Sequence, residues 1–290
     1  MSDDMAKAFD LVMGVLNQQG FDPPAESDYI QNDMIYCGKC HTPRQMWLDI
    51  PDSLGMEARR LVKVLCKCRE AELDMEEAAD RQRKHQAKLA KWRASGVSDR
   101  KWHDCTFSND DRQDEVASDK CRRYADNFDE MYKTDTGLLL YGGVGTGKTF
   151  LAACIANALV DEGRYVMMVN LPSLISSMNA DYGEQREYYN DKISRAHLLI
   201  LDDFGVERDT EFSIEQVYEI INARYKTGKP LIVTTNLSMQ QLRDEPLIGR
   251  RRIYDRVIEK CVPLMVKGES RRKGIAADKR ANAMKILEGE

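Results

Sequence analysis

A buried strand, a glycine-rich loop and an apolar helix, in that order, constrain this chain more than any other feature. The loop is Gly142-Gly143-Val144-Gly145-Thr146-Gly147-Lys148-Thr149, which has the form G-x-x-x-x-G-K-[ST]. The apolar run Leu138-Leu139-Leu140-Tyr141 enters it as a strand, and Phe150 to Val160 leaves it as a helix that stops near Gly163. Glycines let the backbone turn tightly and aim its N–H groups at phosphate oxygens, where the helix N-terminus adds partial positive charge. In such a loop the lysine reaches the β- and γ-phosphates and the hydroxyl after it holds Mg2+. Those roles fall to Lys148 and Thr149. With both flanks correct, the pattern predicts an α/β fold that binds a nucleoside triphosphate.

Hydrolysis also needs an acid placed for the metal. His197-Leu198-Leu199-Ile200-Leu201 is an apolar run ending in Asp202-Asp203, the first of them 53 residues after Thr149. Its length and Leu/Ile content suit a strand buried on both faces. Ligands of open α/β sheets bind beyond the carboxyl ends of the strands, which would set Asp202 near Mg2+ and Asp203 near an attacking water. Phe204-Gly205 then reads as a turn. A third strand, Leu231 to Thr235, follows Pro230 and leaves Asn236 at its exit. Asn236 is a turn residue by habit; at the same sheet edge it is also placed to orient the water or touch the γ-phosphate.

Length allows one α/β domain and a smaller module in these 290 residues. Charged residues make up 31%, and no apolar run approaches the about 20 residues that span a bilayer. Met1-Ser2-Asp3-Asp4 lacks the basic region and apolar core of a signal peptide. The expected location is therefore cytoplasmic, with the eight cysteines reduced or metal-bound. A formal net charge of −5 gives no support for nucleic-acid binding by the chain as a whole.

The N-terminal part opens with Ala8, Leu11, Val12, Val15 and Leu16 at helical spacing before Gly20, either a core helix of the module or a partner-binding one. Two close cysteine pairs follow, Cys37-Gly38-Lys39-Cys40 and Cys66-Lys67-Cys68. In a reducing compartment they suggest zinc, which takes four tetrahedral ligands. Gly38 lets the chain curl so that both thiolates face one ion, and His41 stands ready to replace a cysteine. Cys105, Cys121, Cys154 and Cys261 are scattered, Cys154 as a core residue. From Glu70 to Asp80 six acids are followed by six bases up to Arg93. Pairs such as Glu77 with Arg81 and Asp80 with Lys84 predict a solvated connecting helix. Ser95-Gly96-Val97-Ser98 breaks it, giving domains at 1–95 and 96–275 and a tail at 276–290. Trp102 and Phe107 lead into the nucleotide domain, in a stretch able to cover the adenine.

After a second strand, Tyr165 to Val169, an insertion runs from Leu171 to Arg195, with Ser173 as the cap of a short helix. Tyr182, Arg186, Tyr188, Tyr189 and Lys192 interleave aromatics with cations, as single-stranded nucleic acid requires; ordinary helix packing explains the tyrosines equally. Arg250 to Lys273 holds nine basic residues against three acids. Arg252, Arg256 and Lys260 share a helix face, from which arginines could reach the γ-phosphate held by a neighbouring subunit. Val262 to Val266 closes the sheet, before Gly268-Glu269-Ser270-Arg271.

Together these motifs resemble the DnaC/IstB-type branch of the AAA+ ATPases, from about Gly96 to Arg272. The resemblance rests on Gly142 to Thr149, Leu201 to Gly205, Ile220-Ile221-Asn222-Ala223-Arg224-Tyr225, Lys229 to Leu237, and Arg252-Ile253-Tyr254-Asp255-Arg256. It implies an AAA+ P-loop core with a parallel five-stranded sheet ordered 5-1-4-3-2, preceded by a small, mostly helical zinc-binding domain. It also implies ATP and Mg2+ bound between subunits, and assembly on single-stranded DNA. Carried over by position, Gly142 to Thr149 bind ATP, Thr149 and Asp202 hold Mg2+, Asp203 and Asn236 act on the water, and Arg252 and Arg256 act in trans. Arg271 matches a further phosphate sensor. Asp203 stands where many members carry Glu, and this shorter arm implies slow hydrolysis, stimulated by DNA or a partner. Too little chain follows Val266 for the helical lid of many relatives.

The cysteine-bearing module is similar to that of helicase loaders from Gram-positive bacteria and their phages, in which it grips the hexameric replicative helicase. The resemblance thus implies a DnaC/DnaI-type loader, self-associating through its ATP interface and holding Zn2+ at Cys37, Cys40, Cys66 and Cys68. Two alternatives stay open: an IstB-like transposition helper ATPase, and an ATP-switched replication adaptor with little hydrolysis.

Overall fold

Leu138, Leu139 and Leu140 point alternately to two different cores, which explains why strands here read as unbroken apolar runs. The structure is a computed structural model, and it describes residues 25–49, 59–97, 99–179, 184–206, 210–271, 279–280, 283–285 and 287. The expected helix over 5–19 and most of the 276–290 tail lie outside those residues. The chain divides into two units, Met1–His85 and Gln86–Glu290.

In the first unit, β1 (Tyr29–Gln31) and β2 (Met34–Tyr36) form an antiparallel hairpin. Its two-residue turn, Asn32-Asp33, has φ of 50° and 57°, the left-handed pair that matches strand twist. A second antiparallel pair joins β3 (Gln45–Asp49) to β4 (Arg59–Lys63). A mostly helical domain is the expectation here; these strands are too short and carry too little burial for an apolar period to mark them. Helix α1 (Lys67–Gly96) begins inside the second cysteine pair, with Cys66 just before it and Cys68 in its first turn. The expected pairs are present, Lys84 to Asp80 at 2.7 Å and Arg81 to Glu77 at 3.3 Å. Both are exposed and each contributes well under about 1 kcal/mol.

The second unit carries the parallel sheet. After α2 (Glu115–Asp126) and α3 (Phe128–Lys133) come β5 (Gly137–Tyr141) and α4 (Lys148–Asp161). Next are β6 (Val166–Asn170), α5 (Leu171–Asn179), α6 (Glu184–Arg195) and β7 (Leu198–Phe204). Helix α7 (Glu211–Lys226), β8 (Leu231–Thr235), α8 (Met239–Arg243), α9 (Ile248–Lys260) and β9 (Cys261–Met265) complete it. The strand order is β6-β7-β8-β5-β9, which is the expected 5-1-4-3-2 when the core strands are counted from β5. One face of the sheet packs Leu138, Leu140, Met168, Ile200 and Ile232 against α2 and α4. The other packs Leu139, Met167, Leu199, Leu201 and Val233 against α5, α6, α7 and α9. Each such leucine contributes about 1.5–3 kcal/mol by leaving water. Strand β9 is the outer strand on its side, with Pro263 at its centre.

Three local expectations need correction. Asn170, not Ser173, supplies the accepting side chain at the start of α5: the Ser173 N–H and hydroxyl both donate to Asn170 Oδ1, at 3.2 and 3.1 Å. Phe204 does not start a turn; β7 continues through it, and its ring is fully buried. Lys260 does not share a solvated face with Arg252, because it is buried, paired with Asp135 and bonded to the Lys229 carbonyl.

Arg224 is wholly buried on α7. Its guanidinium makes five hydrogen bonds to the carbonyls of Ile193, Ala196, His197 and Pro230, from 2.6 to 3.1 Å. These carbonyls end α6 and precede β7 and β8, so one planar fork joins three segments. Burial pulls its pKa down to about 10, still far above neutrality. Among the described residues no helix is long and apolar enough to cross a membrane.

Candidate functional site

The loop after β5 delivers Lys148 and Thr149 to the first turn of α4, whose N-cap, Gly147, has no side chain to satisfy the free N–H groups. Those donors are what an anion needs. Gly147 has φ of 103°, a conformation that favours glycine, and a Cβ there would also displace Arg271 Nη1. Lys148 is buried, with Nζ donating to the carbonyls of Gly142 (2.9 Å) and Gly143 (2.7 Å) and to Asn236 Oδ1 (2.8 Å). The expected sensor thus touches the expected phosphate-binding lysine.

Asp202 and Asp203 reach the same place through a distortion. The β7–β8 register shifts between Leu201 and Phe204, and Asp203 takes φ of 58°, an unusual conformation for a side-chain-bearing residue. Asp202 is buried, accepting from the Thr234 hydroxyl at 2.6 Å and from Thr149. Burial raises its pKa above the ordinary carboxylate value, against the lowering effect of those two hydroxyls. Asp203 accepts from Asn170 Nδ2 at 2.9 Å and lines the pocket.

That pocket, about 480 Å³, is lined by Lys148, Thr149, Asp203, Asn236 and Arg271 on its polar side, and by Trp102, Val144 and Phe150 on its apolar side. Phe107 is not in its wall; it packs on the core beneath, under the Arg122 guanidinium at 5.0 Å. Arg271 arches over the loop: its N–H donates to the Gly145 carbonyl at 3.1 Å and its Nη1 to the Thr146 carbonyl at 2.5 Å. Asp111 grips the same guanidinium, with Nε at 2.8 Å. The pairing holds the Asp111 carboxyl below its usual range. Sequence reading misses Asp111, since nothing local marks an acid that meets an arginine 160 positions away.

Arg252 and Arg256 lie elsewhere in this unit, on α9. Arg252 is exposed, beside an apolar groove with Tyr218, Leu247 and Ile248. Arg256 stacks over the Tyr218 ring at 4.8 Å and donates to its hydroxyl at 3.2 Å. The aromatic–cation set of the insertion is spread out. Arg186 pairs with Glu219, Tyr189 packs on the core, and Lys192 lies over the exposed Tyr188 ring at 4.3 Å. Tyr182 lies outside the described residues.

In the first unit Cys37, Cys40, Cys66 and Cys68 bring their sulfurs within 4.8 Å of one another. A tetrahedral zinc with Zn–S near 2.3 Å separates its sulfurs by about 3.8 Å, and the Cys37–Cys68 and Cys66–Cys68 distances are 3.5 and 3.3 Å. The Thr42 hydroxyl and neighbouring amides pull Cys40 down to about 5, while the crowding sulfurs of Cys66 and Cys37 push Cys68 up to about 12. Four thiolates this close repel without a cation among them, so the donor set fits a divalent metal. His41 is not in the cluster; its Nδ1 meets the Tyr29 hydroxyl at 3.3 Å. Gly38 is needed for a reason other than curling: a Cβ would fall 2.0 Å from the Ser27 carbonyl oxygen. Cys105, Cys121, Cys154 and Cys261 are free and buried.

The profile of the family described as IstB-like ATP binding protein matches residues 65–278. Among curated proteins, "Uncharacterized protein YdaV" of Escherichia coli K12 is 30% identical over 53% of this chain and 61% of its own length. "Replicative helicase loader DnaC" of the same strain is 28% identical over 49% and 56%. "Replicative helicase loader DnaI" of Bacillus subtilis is 28% identical over 47% of both chains. The chain thus spans about half the length of the curated relatives it matches. Among solved structures, one titled "Crystal Structure of the DnaI" aligns over 62% of this chain and 99% of its own, with a TM-score of 0.52 at 26% identity.

Proposed function

Because the chain belongs to the family of IstB-like ATP-binding proteins, we propose that it is an ATP-dependent loader of a replicative DNA helicase. The observation that carries this reading is the meeting of Lys148, Asp203 and Asn236 at one pocket, with Asp202 bonded to Thr149 behind it. Relatives named as helicase loaders give that pocket its context.

Bound there, ATP brings phosphates to the N–H groups of Gly143 to Thr149, and Lys148 turns from the loop carbonyls to the β- and γ-oxygens. Thr149 and Asp202 hold Mg2+, which neutralises charge on the transferring phosphoryl group. Asp203 and Asn236 orient the attacking water. The shorter arm of Asp203 makes turnover slow, so that ATP acts more as an assembly signal than as fuel. Arg271 follows the γ-phosphate, while Arg252, with Arg256 behind it, serves the site of a neighbouring copy. The cysteine cluster holds Zn2+ and shapes the unit that grips the helicase. Single-stranded DNA meets the nucleotide unit, with Tyr188, Arg186 and Lys192 as contacts.

A relative described as "Putative ATP-binding protein Rv3427c in insertion sequence", from Mycobacterium tuberculosis and 29% identical over 47% of this chain, favours a second reading, a transposition helper. One experiment separates the two. Pull-down with the host's hexameric helicase should retain the intact protein and lose it on removing residues 1–95. Tight ATP-dependent binding to duplex DNA with no helicase retained would replace the loader by the helper.

A further inference from the structure

Asn157 lies inside the phosphate-loop helix, 2% exposed, in a place where apolar side chains are the rule. Its Nδ2 donates to two carbonyls, Trp102 at 2.7 Å and Cys105 at 2.8 Å. Two acceptors facing one atom fix that atom as the amide nitrogen. Its Oδ1 is buried with no hydrogen-bond partner. An orphaned buried acceptor is costly, so the two bonds made by the other half of the group must be worth keeping.

What those bonds hold is a stretch of the pocket wall with little regular structure of its own. Among the described residues from 97 to 109 the only helical element is the short 3-10 turn Arg100–Trp102. Backbone turns satisfy the carbonyls of Asp99, Arg100, Trp102 and Thr106, and side chains tie the stretch together: His103 Nε2 lies 2.9 Å from the Val97 carbonyl oxygen, and Asn109 donates to the Asp104 carbonyl at 2.7 Å. Asn157 is the fully buried clamp among them. The turn it fixes presents Trp102, which shares the pocket with Lys148 and Phe150. Lys148 and Thr149 mark the phosphate end of that pocket, Asn109 and Asp111 are polar groups from the chain after Trp102, and Trp102 and Phe150 are its aromatic surfaces. A purine finds its π-contacts there.

We propose that Asn157 is a positioning residue that holds the Trp102 turn so that the indole forms the nucleobase wall of the pocket. This rests on the ATP-binding reading above. The side chain touches no nucleotide; it acts through the backbone of the turn, and so it sets base affinity without altering the grip on phosphate.

The test is calorimetric titration of the full chain with Mg2+, using ATP and inorganic tripolyphosphate as separate probes. Asn157→Leu keeps the volume and removes both donors, and Asn157→Asp keeps the shape and turns the donor into an acceptor. Each is expected to lose roughly tenfold in ATP affinity, about the worth of two hydrogen bonds shared with the turn, with tripolyphosphate affinity unchanged. Trp102→Ala should do the same, and adding Asn157→Leu to it should weaken ATP no further. ATP affinity at the wild-type level in either Asn157 variant would overturn the proposal. So would an equal loss for tripolyphosphate, or additive losses in the double variant. If wild type takes up tripolyphosphate but shows no preference for ATP, the wall is not a base site and the proposal fails alone. If it takes up neither, the functional reading fails first.

Discussion

Asp202 shows how a single residue can serve the site at the expense of the fold. Its carboxylate is buried and its pKa lies above the value it has in an unfolded chain. The folded state therefore binds that proton more tightly, and this carboxylate's contribution to stability falls as pH rises from the unfolded pKa through the folded one. Asp202→Asn removes the charge and keeps a shape that the Thr149 and Thr234 hydroxyls can still bond. We expect it to abolish ATP hydrolysis while raising the Tm of the metal-free protein at neutral pH by about 2–4 °C, as roughly 1 kcal/mol does for a domain of this size. The gain should shrink on acidification below the carboxylate range. A lower Tm at neutral pH, followed by scanning calorimetry, would mean that a buried charge is worth more to this fold than its desolvation costs. Asp203, one position on, was legible as an acid at a strand end. Its positive φ was not, because a bulge arises from pairing with β8 and leaves no mark in the local sequence.

At the scale of elements, the strands that line the site were the most legible part. Burial on both faces makes β5, β7 and β8 continuous apolar runs, and their exits carry the polar residues by necessity. What escaped the sequence are contacts made to backbone oxygens across long separations. Arg224 was visible only as part of a motif, yet it ties the end of α6 to the starts of β7 and β8. A methionine there fills most of the space and takes the guanidinium donors from the carbonyls of Ile193, Ala196 and His197, while that of Pro230 keeps the Leu199 N–H. Arg224→Met should cost about 3 kcal/mol or more in urea unfolding, and Arg224→Lys should recover only part of it, since one ammonium cannot copy a planar fork. A loss below about 1 kcal/mol would show that the carbonyls find other donors. The short strands of the first unit also escaped, because strands of three to five residues with little burial have no core to impose a period.

For the whole molecule, the two units draw stability from different sources. The nucleotide unit has a sheet covered on both faces. The first unit, among its described residues, buries little beyond Cys37, Val62 and Cys66, and a unit with so small an apolar core usually needs a metal or disulfides. A strong chelator should therefore melt the first unit and leave the second: circular dichroism should show a partial loss, with ATP affinity retained and helicase binding abolished. Cooperative unfolding of the entire chain on chelation would refute this division. The outer strand β9 adds a constraint on how copies can meet. A ring nitrogen at Pro263 interrupts the row of amides that an incoming strand would dock against. Zipping sheets end to end through β9 is thereby discouraged, so a second copy would have to meet this one through a surface other than that edge.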